Sequence, residues 1–145
     1  MELAIEQAKK AEMLSEVPVG AILIDEIKSQ IISANHNEIF IQNNAIKHAE
    51  IVVIEQACKL RKTKYLLETS IYVTLEPCAM CAAAISEVKI KKIYFGAYDE
   101  KKGAIENGIR IFSNENYYKP EIYGGIKEKE CSALLKNFFY SKRKS

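Results

Sequence analysis

The chain carries no internal repeat, no low-complexity tract and no linker-like stretch, and neither sign of charge dominates it. Only six Gly and three Pro occur in 145 residues, which excludes collagen-like and linker architectures. No apolar run approaches the ~20 residues that a helix needs to cross a bilayer. The first six residues, Met1-Glu2-Leu3-Ala4-Ile5-Glu6, carry acids where a signal peptide carries Lys or Arg. The expectation is that the whole chain is the mature protein, that it stays in the cytoplasm and that it has no membrane partner. Histidine is scarce, with two residues, and four cysteines stand at 58, 78, 81 and 131. In a cytosolic chain, cysteines serve more often as metal ligands, catalytic groups or small buried hydrophobes than as disulfides.

What is present is ordinary globular composition, 48% hydrophobic and 28% charged. The length suits one domain over residues 1–145, large enough to bury about 68–70% of its unfolded surface. Twenty-one Lys and Arg against nineteen Asp and Glu leave a net charge of +2, which by itself points to no partner. The basic residues cluster, however, at Lys59–Lys64, Lys89–Lys92, Lys101–Lys102 and Lys142–Lys144. Each cluster alone reads as a solvated face; together they allow a phosphate-binding surface.

Ala4, Ala8, Ala11 and Leu14 recur at helical spacing over residues 2–15, and Pro18 ends that pattern. Ala21–Ile24 and Ile31–Ala34 predict a hairpin, and Asn35–Lys47 a loop. His48–Lys62 predicts a helix with Ile51, Ile54, Ala57 and Cys58 inward. Ser70–Leu75 and Lys91–Gly96 predict strands, with an alanine-rich helix over Cys78–Glu87 between them. Asp99–Asn116 predicts mostly loop, and Glu121–Tyr123 a short strand. Cys131, Leu134, Leu135, Phe138 and Phe139 predict a core-facing helix. Strands alternating with helices imply an α/β protein, a three-layer sandwich around one sheet.

Two fragments carry chemistry. His48-Ala49-Glu50 opens one helix, and Glu76-Pro77-Cys78-Ala79-Met80-Cys81 joins a strand to the next. Alone, the cysteine pair could be a redox pair and the histidine an ordinary surface residue. Together, one imidazole and two thiolates offer zinc three ligands, which leaves its fourth tetrahedral position open as in catalytic sites. Cys78 and Cys81 lie one helical turn apart, so both sulfurs project to one side. Helix N-termini favour thiolates there, and zinc lowers the pKa of bound water from 15.7 to about 7 in a carbonic anhydrase site. Glu50, in the first turn beside His48, is the candidate proton acceptor. Its ordinary explanation is an acid that complements the helix dipole. Glu76 reads as an architectural residue that orders the following loop.

The H-A-E motif, followed thirty residues on by Glu-Pro-Cys-x-x-Cys, resembles the zinc-dependent cytidine and nucleobase deaminases. Within them it is most similar to the bacterial tRNA-specific adenosine deaminases. That likeness spans residues 3–140 and includes Glu16–Ala21, Tyr72–Ala82, Tyr94–Ala97 and Glu130–Phe139. The resemblance implies an α/β/α cytidine-deaminase-like fold around one mixed sheet of about five strands. It implies a homodimer with one Zn2+ per subunit, held by His48, Cys78 and Cys81. Glu50 would be the proton shuttle, and adenosine at the wobble position of the tRNA anticodon loop would be converted to inosine. It implies that Asn37 reads the base edge and that Val19, Leu75 and Phe139 contact substrate, although a turn cap and core packing explain the first three equally well. Tyr117, Tyr118 and Tyr140 are stacking candidates, and Lys142, Arg143 and Lys144 phosphate candidates. The chain departs from the pattern at Asn44–Lys47, Lys102–Gly108 and Tyr117–Lys119. Lys47 stands at the expected pocket entrance, and the other two segments bear on the substrate.

Two alternatives stand beside this reading. One is a deaminase of a free base or nucleoside such as guanine, cytosine or cytidine. The other is a structural zinc protein that binds RNA without catalysis. Glu50 weighs against the latter, because a structural site needs no proton carrier. Cys58 and Cys131 are expected to be buried and non-ligating.

Overall fold

A computed structural model of the chain describes residues 1–144. The element order is α1 (Glu2–Met13), β1 (Gly20–Asp25), β2 (Gln30–His36), α2 (Ala49–Arg61), β3 (Thr69–Leu75), α3 (Ala79–Glu87), β4 (Lys92–Ala97), a 3-10 turn (Ile111–Ser113), β5 (Glu121–Tyr123) and α4 (Glu128–Lys144). The strands form one sheet in the order β2-β1-β3-β4-β5. The β1–β2 and β1–β3 pairs are antiparallel, while β3–β4 and β4–β5 are parallel. The mixed five-stranded α/β/α sandwich expected from the alternation is therefore present.

Strand periodicity explains the layers. Ala21, Leu23, Ile71, Val73, Ile93 and Phe95 point to one face and pack with Val53 and Ala57 of α2 and Ala82 and Ile85 of α3. The opposite face takes α1 and α4, and glycine makes both approaches possible. A side chain at Gly20 would collide with the backbone of Ala4 and Ala8 in α1. One at Gly96 would collide with the Cys131 side chain of α4. The fully buried Phe95 anchors the main core; truncating such a ring costs about 3–5 kcal/mol.

Several expectations need correcting. The first helix ends at Met13, and Leu14 is exposed, because the chain turns at Ser15 in left-handed geometry (φ 60°). The second buries Val52, Val53, Ile54 and Ala57, while Ile51 and Cys58 are only half-buried. The helix packs against both the sheet and α3, so its buried face is set by two neighbours at an angle. On α4 only Cys131 and Phe138 are buried; Leu134 and Leu135 are half-buried and Phe139 is exposed. Residues 99–119 lack long elements, as expected, yet Ala104, Ile105, Ile111 and Phe112 are buried.

Candidate metal centre and active site

The chain reaches the site by two similar routes. β3 ends at Leu75, and Glu76-Pro77 lead to Cys78, the N-cap of α3. Loop 37–47 leads to His48, the N-cap of α2. Both N-cap residues are extended (φ −74°, ψ 176° and φ −67°, ψ 154°), and neither side chain caps its own helix. Ser, Thr, Asp or Asn usually occupies this position and bonds back to the helix. His48 and Cys78 instead direct their side chains at each other.

The His48 Nδ1 lies 3.7 Å from Cys78 Sγ and 3.5 Å from Cys81 Sγ. The three donor atoms all lie within 4.8 Å of one another. With Zn–N bonds of about 2.0–2.1 Å and Zn–S bonds of about 2.3 Å, neighbouring ligand atoms of a tetrahedral site stand about 3.5–3.8 Å apart. Both nitrogen–sulfur distances thus match a zinc site, and one nitrogen with two sulfurs is a donor set that zinc prefers over magnesium or calcium. Among the described residues the group has three members, the number found in catalytic rather than closed structural zinc sites.

The three donor groups lie close enough to shift one another's pKa. The Cys78 thiol is pulled down to about 4, chiefly by the hydrogen bond from Cys81, with His48 adding to it. Cys81 is pushed up by that same bond and by burial. His48 is raised, first by its hydrogen bond to Cys78. Glu50 is 4% exposed, and burial pushes its carboxyl up to about 7. Its side chain contacts Cys81, so an acid stands directly beside the metal cluster.

Glu76 is also buried, but its surroundings differ. Its carboxylate accepts N–H bonds from Asp99 (3.0 Å), Ile105 (3.1 Å), Glu106 (2.8 Å) and Asn107 (3.0 Å), and one from Asn107 Nδ2 (2.7 Å). Burial alone would raise its pKa; these donors outweigh burial and hold it below the usual carboxylate range. The architectural role expected for Glu76 is borne out. Gly103 is required beside it, since a Cβ there would come within 2.6 Å of its Oε1.

The remaining residues separate into groups. Asn37 is buried, and its Oδ1 accepts the Ala49 N–H at 2.8 Å, so it caps α2 from outside the helix. Val19 is buried in the main core, and its carbonyl accepts the Asn37 N–H at 3.1 Å. Leu75 and Phe139 line one groove of about 970 Å³, together with Val17, Lys102, Lys142 and Arg143. Phe139 is 47% exposed there and packs edge-on against Phe138. Tyr118 does not line that groove; its carbonyl is held by Ser86 and its ring lies by Lys89. Lys47 forms a 2.6 Å ion pair with Glu55. Sequence reasoning missed Glu16, which is fully buried and holds the Phe40 and Ile41 N–H groups. The available signal was an acid set between an apolar helix end and Val17-Pro18-Val19. Cys131 is buried against Gly96, away from the metal cluster, as expected; Cys58, expected buried, is half-exposed.

The cytidine and deoxycytidylate deaminase zinc-binding region matches residues 1–97. The chain is 48% identical over 140 residues to a tRNA-specific adenosine deaminase of Rickettsia felis, covering 96% of this chain and 97% of that one. It is 41% identical over 145 residues to the tRNA-specific adenosine deaminase of Bacillus subtilis, covering 99% and 89%. A solved structure from studies of A-to-I editing by tRNA:A34 deaminases superposes with a TM-score of 0.90 at 42% identity, covering 93% and 97%. A guanine deaminase from Nitrosomonas europaea shares the fold at a TM-score of 0.81 but only 16% identity, covering 94% of this chain and 81% of that one.

Proposed function

The chain belongs to the cytidine and deoxycytidylate deaminase family, and on that premise we propose that it converts adenosine to inosine at the wobble position of tRNA. The observation that carries this reading is the His48–Cys78–Cys81 cluster with the buried Glu50 carboxyl beside it. Full-length similarity to tRNA-specific adenosine deaminases supports the choice of substrate.

His48, Cys78 and Cys81 would hold the zinc ion, one per subunit. Bound zinc supplies a Lewis acid that makes water nucleophilic near neutral pH. Glu50 takes a proton from the attacking water and delivers it to a ring nitrogen, then assists ammonia as it departs. In balance, a C–O bond forms, the C–N bond to the amino group breaks, and adenosine plus water becomes inosine plus ammonia. Glu50 suits this task because it is buried next to the cluster, out of competition with bulk water. The N-termini of α2 and α3 add positive dipole ends around the negatively charged ligands.

Asn37 offers its amide to the base edge, and Val19 and Leu75 form apolar walls. Phe139 stacks on a neighbouring base, while Lys142 and Arg143 meet backbone phosphates along the groove. An anticodon loop already presents unstacked bases, so the cost of extrusion is smallest there. Residues 1–145 act as one domain, two copies form a homodimer, and the work is done in the cytoplasm where tRNA is found. No helix among the described residues is long and apolar enough to cross a membrane.

The test compares an anticodon stem-loop carrying adenosine at the wobble position with free guanine, cytosine and cytidine. Inosine formation in the RNA alone is expected. Turnover confined to free bases or nucleosides overturns the substrate; no ammonia release from any of them overturns the enzyme.

A further inference from the structure

Loop 37–47 has no regular secondary structure, yet its backbone is tied at both base and apex. At the base, Glu38 N–H bonds to the Lys47 carbonyl (2.9 Å), and Asn37 bonds to Ala49. The apex is tied by a group from outside the loop. Glu16 is 0% exposed, and its Oε2 accepts the N–H groups of two consecutive residues, Phe40 at 2.9 Å and Ile41 at 2.8 Å. Its Oε1 accepts a longer bond of 3.2 Å from Phe40.

Burying a carboxylate costs free energy that its hydrogen bonds must offset. What this carboxylate secures is unusual. Phe40 is 69% exposed and Ile41 53% exposed, so a buried charge immobilises the backbone beneath two apolar side chains that face solvent. A simple connector needs no such anchor. Position adds meaning. The loop runs from Asn37 directly to the metal-site His48, and the residue after Glu16, Val17, lines the groove that contains Leu75 and Phe139.

We propose that Glu16 is a positioning residue for RNA, fixing the apex of loop 37–47 so that Phe40 forms a stacking wall for an unpaired base next to the deaminated one. Unpaired bases of RNA loops stack on aromatic side chains, and a fixed ring loses less entropy on contact than a mobile one. The effect belongs to substrate binding. The base of the loop has its own hydrogen bonds, so His48 does not depend on the apex.

This inference rests on RNA being the substrate, and wild-type turnover of the stem-loop checks that first. If the wild-type protein neither binds nor deaminates the stem-loop, the functional reading fails and the inference falls with it. Given wild-type turnover, Phe40→Ala, on an exposed side chain, is expected to raise KM for the stem-loop about tenfold, with kcat and zinc content unchanged. Glu16→Gln is expected to raise KM by a similar factor and to speed hydrogen exchange at the Phe40 and Ile41 amides. The double variant should be no worse than either single one, because both remove the same contact. A wild-type KM for Phe40→Ala overturns the proposal even if Glu16→Gln does not fold. Loss of zinc or of kcat in Glu16→Gln at unchanged KM also overturns it, by placing its effect on the metal centre.

Discussion

Glu50 and Glu76 are both buried carboxyl groups, 4% and 2% exposed, yet their pKa values move in opposite directions. Glu76 is surrounded by N–H donors from Asp99, Ile105, Glu106 and Asn107, which hold its pKa below the usual value. Glu50 lies against His48, Cys78 and Cys81, and burial dominates, pushing it up to about 7. Burial therefore does not decide what a carboxylate does; the donors around it do. A carboxylate saturated with backbone N–H groups fixes a loop. One placed against a thiol and an imidazole can move a proton.

The sharpest way to break this contrast is Glu50→Gln. The expected result is a loss of about 10³-fold in the rate of inosine formation, with zinc content and thermal midpoint near wild type. An equal loss of zinc would make Glu50 a structural support of the cluster. Glu76→Ala should do the reverse, lowering unfolding free energy by about 3 kcal/mol in urea titrations because several buried donors lose their acceptor. A stable Glu76→Ala protein with no activity would erase the distinction.

Acid titration sharpens the same point with a smaller effect. The Glu76 pKa is lower in the folded protein than the 4.5 of the unfolded chain. Its contribution to stability is therefore complete above that unfolded value and is lost as pH falls through the lower folded one. Wild type should lose stability from about pH 5 downward, and Glu76→Gln should show a shallower loss over that window, as measured by urea midpoints at several pH values. The smallest effect is expected at Cys58→Ala, a half-exposed thiol outside the cluster. Stability should change by about 0.5 kcal/mol or less, and zinc per chain should stay at the wild-type value. A drop in bound zinc would show that the cluster extends beyond its three side chains.

Much of the fold was legible in sequence because its helices and strands bury one regular face. β5 and the hairpin emerged from short-range pattern, and the Cys78–Cys81 spacing announced a shared side of one helix turn. Leu14 was misplaced because α1 stops before it, and Ile51 because two neighbours set the buried face of α2. Phe139 continues the apolar spacing of α4, but the adjacent Phe138 takes the buried position and Phe139 faces the groove. Asn37 was legible as either a turn cap or a base-reading residue, and its bond to Ala49 shows the capping.

The sequence by itself determined the chemistry, one imidazole, two thiols and an acid, and local helix geometry puts the two sulfurs on one side; bringing His48 to them took the packing of α2 against α3. The sequence already separated Glu50 from Glu76; tertiary structure alone decided which donors hold Glu76 and that Glu16 anchors a second loop. The donors that hold Glu76 come from residues 23 to 31 positions later, and those that hold Glu16 from 24 to 25 positions later. Such partners meet only after the sheet has ordered its strands, and no local periodicity encodes that meeting.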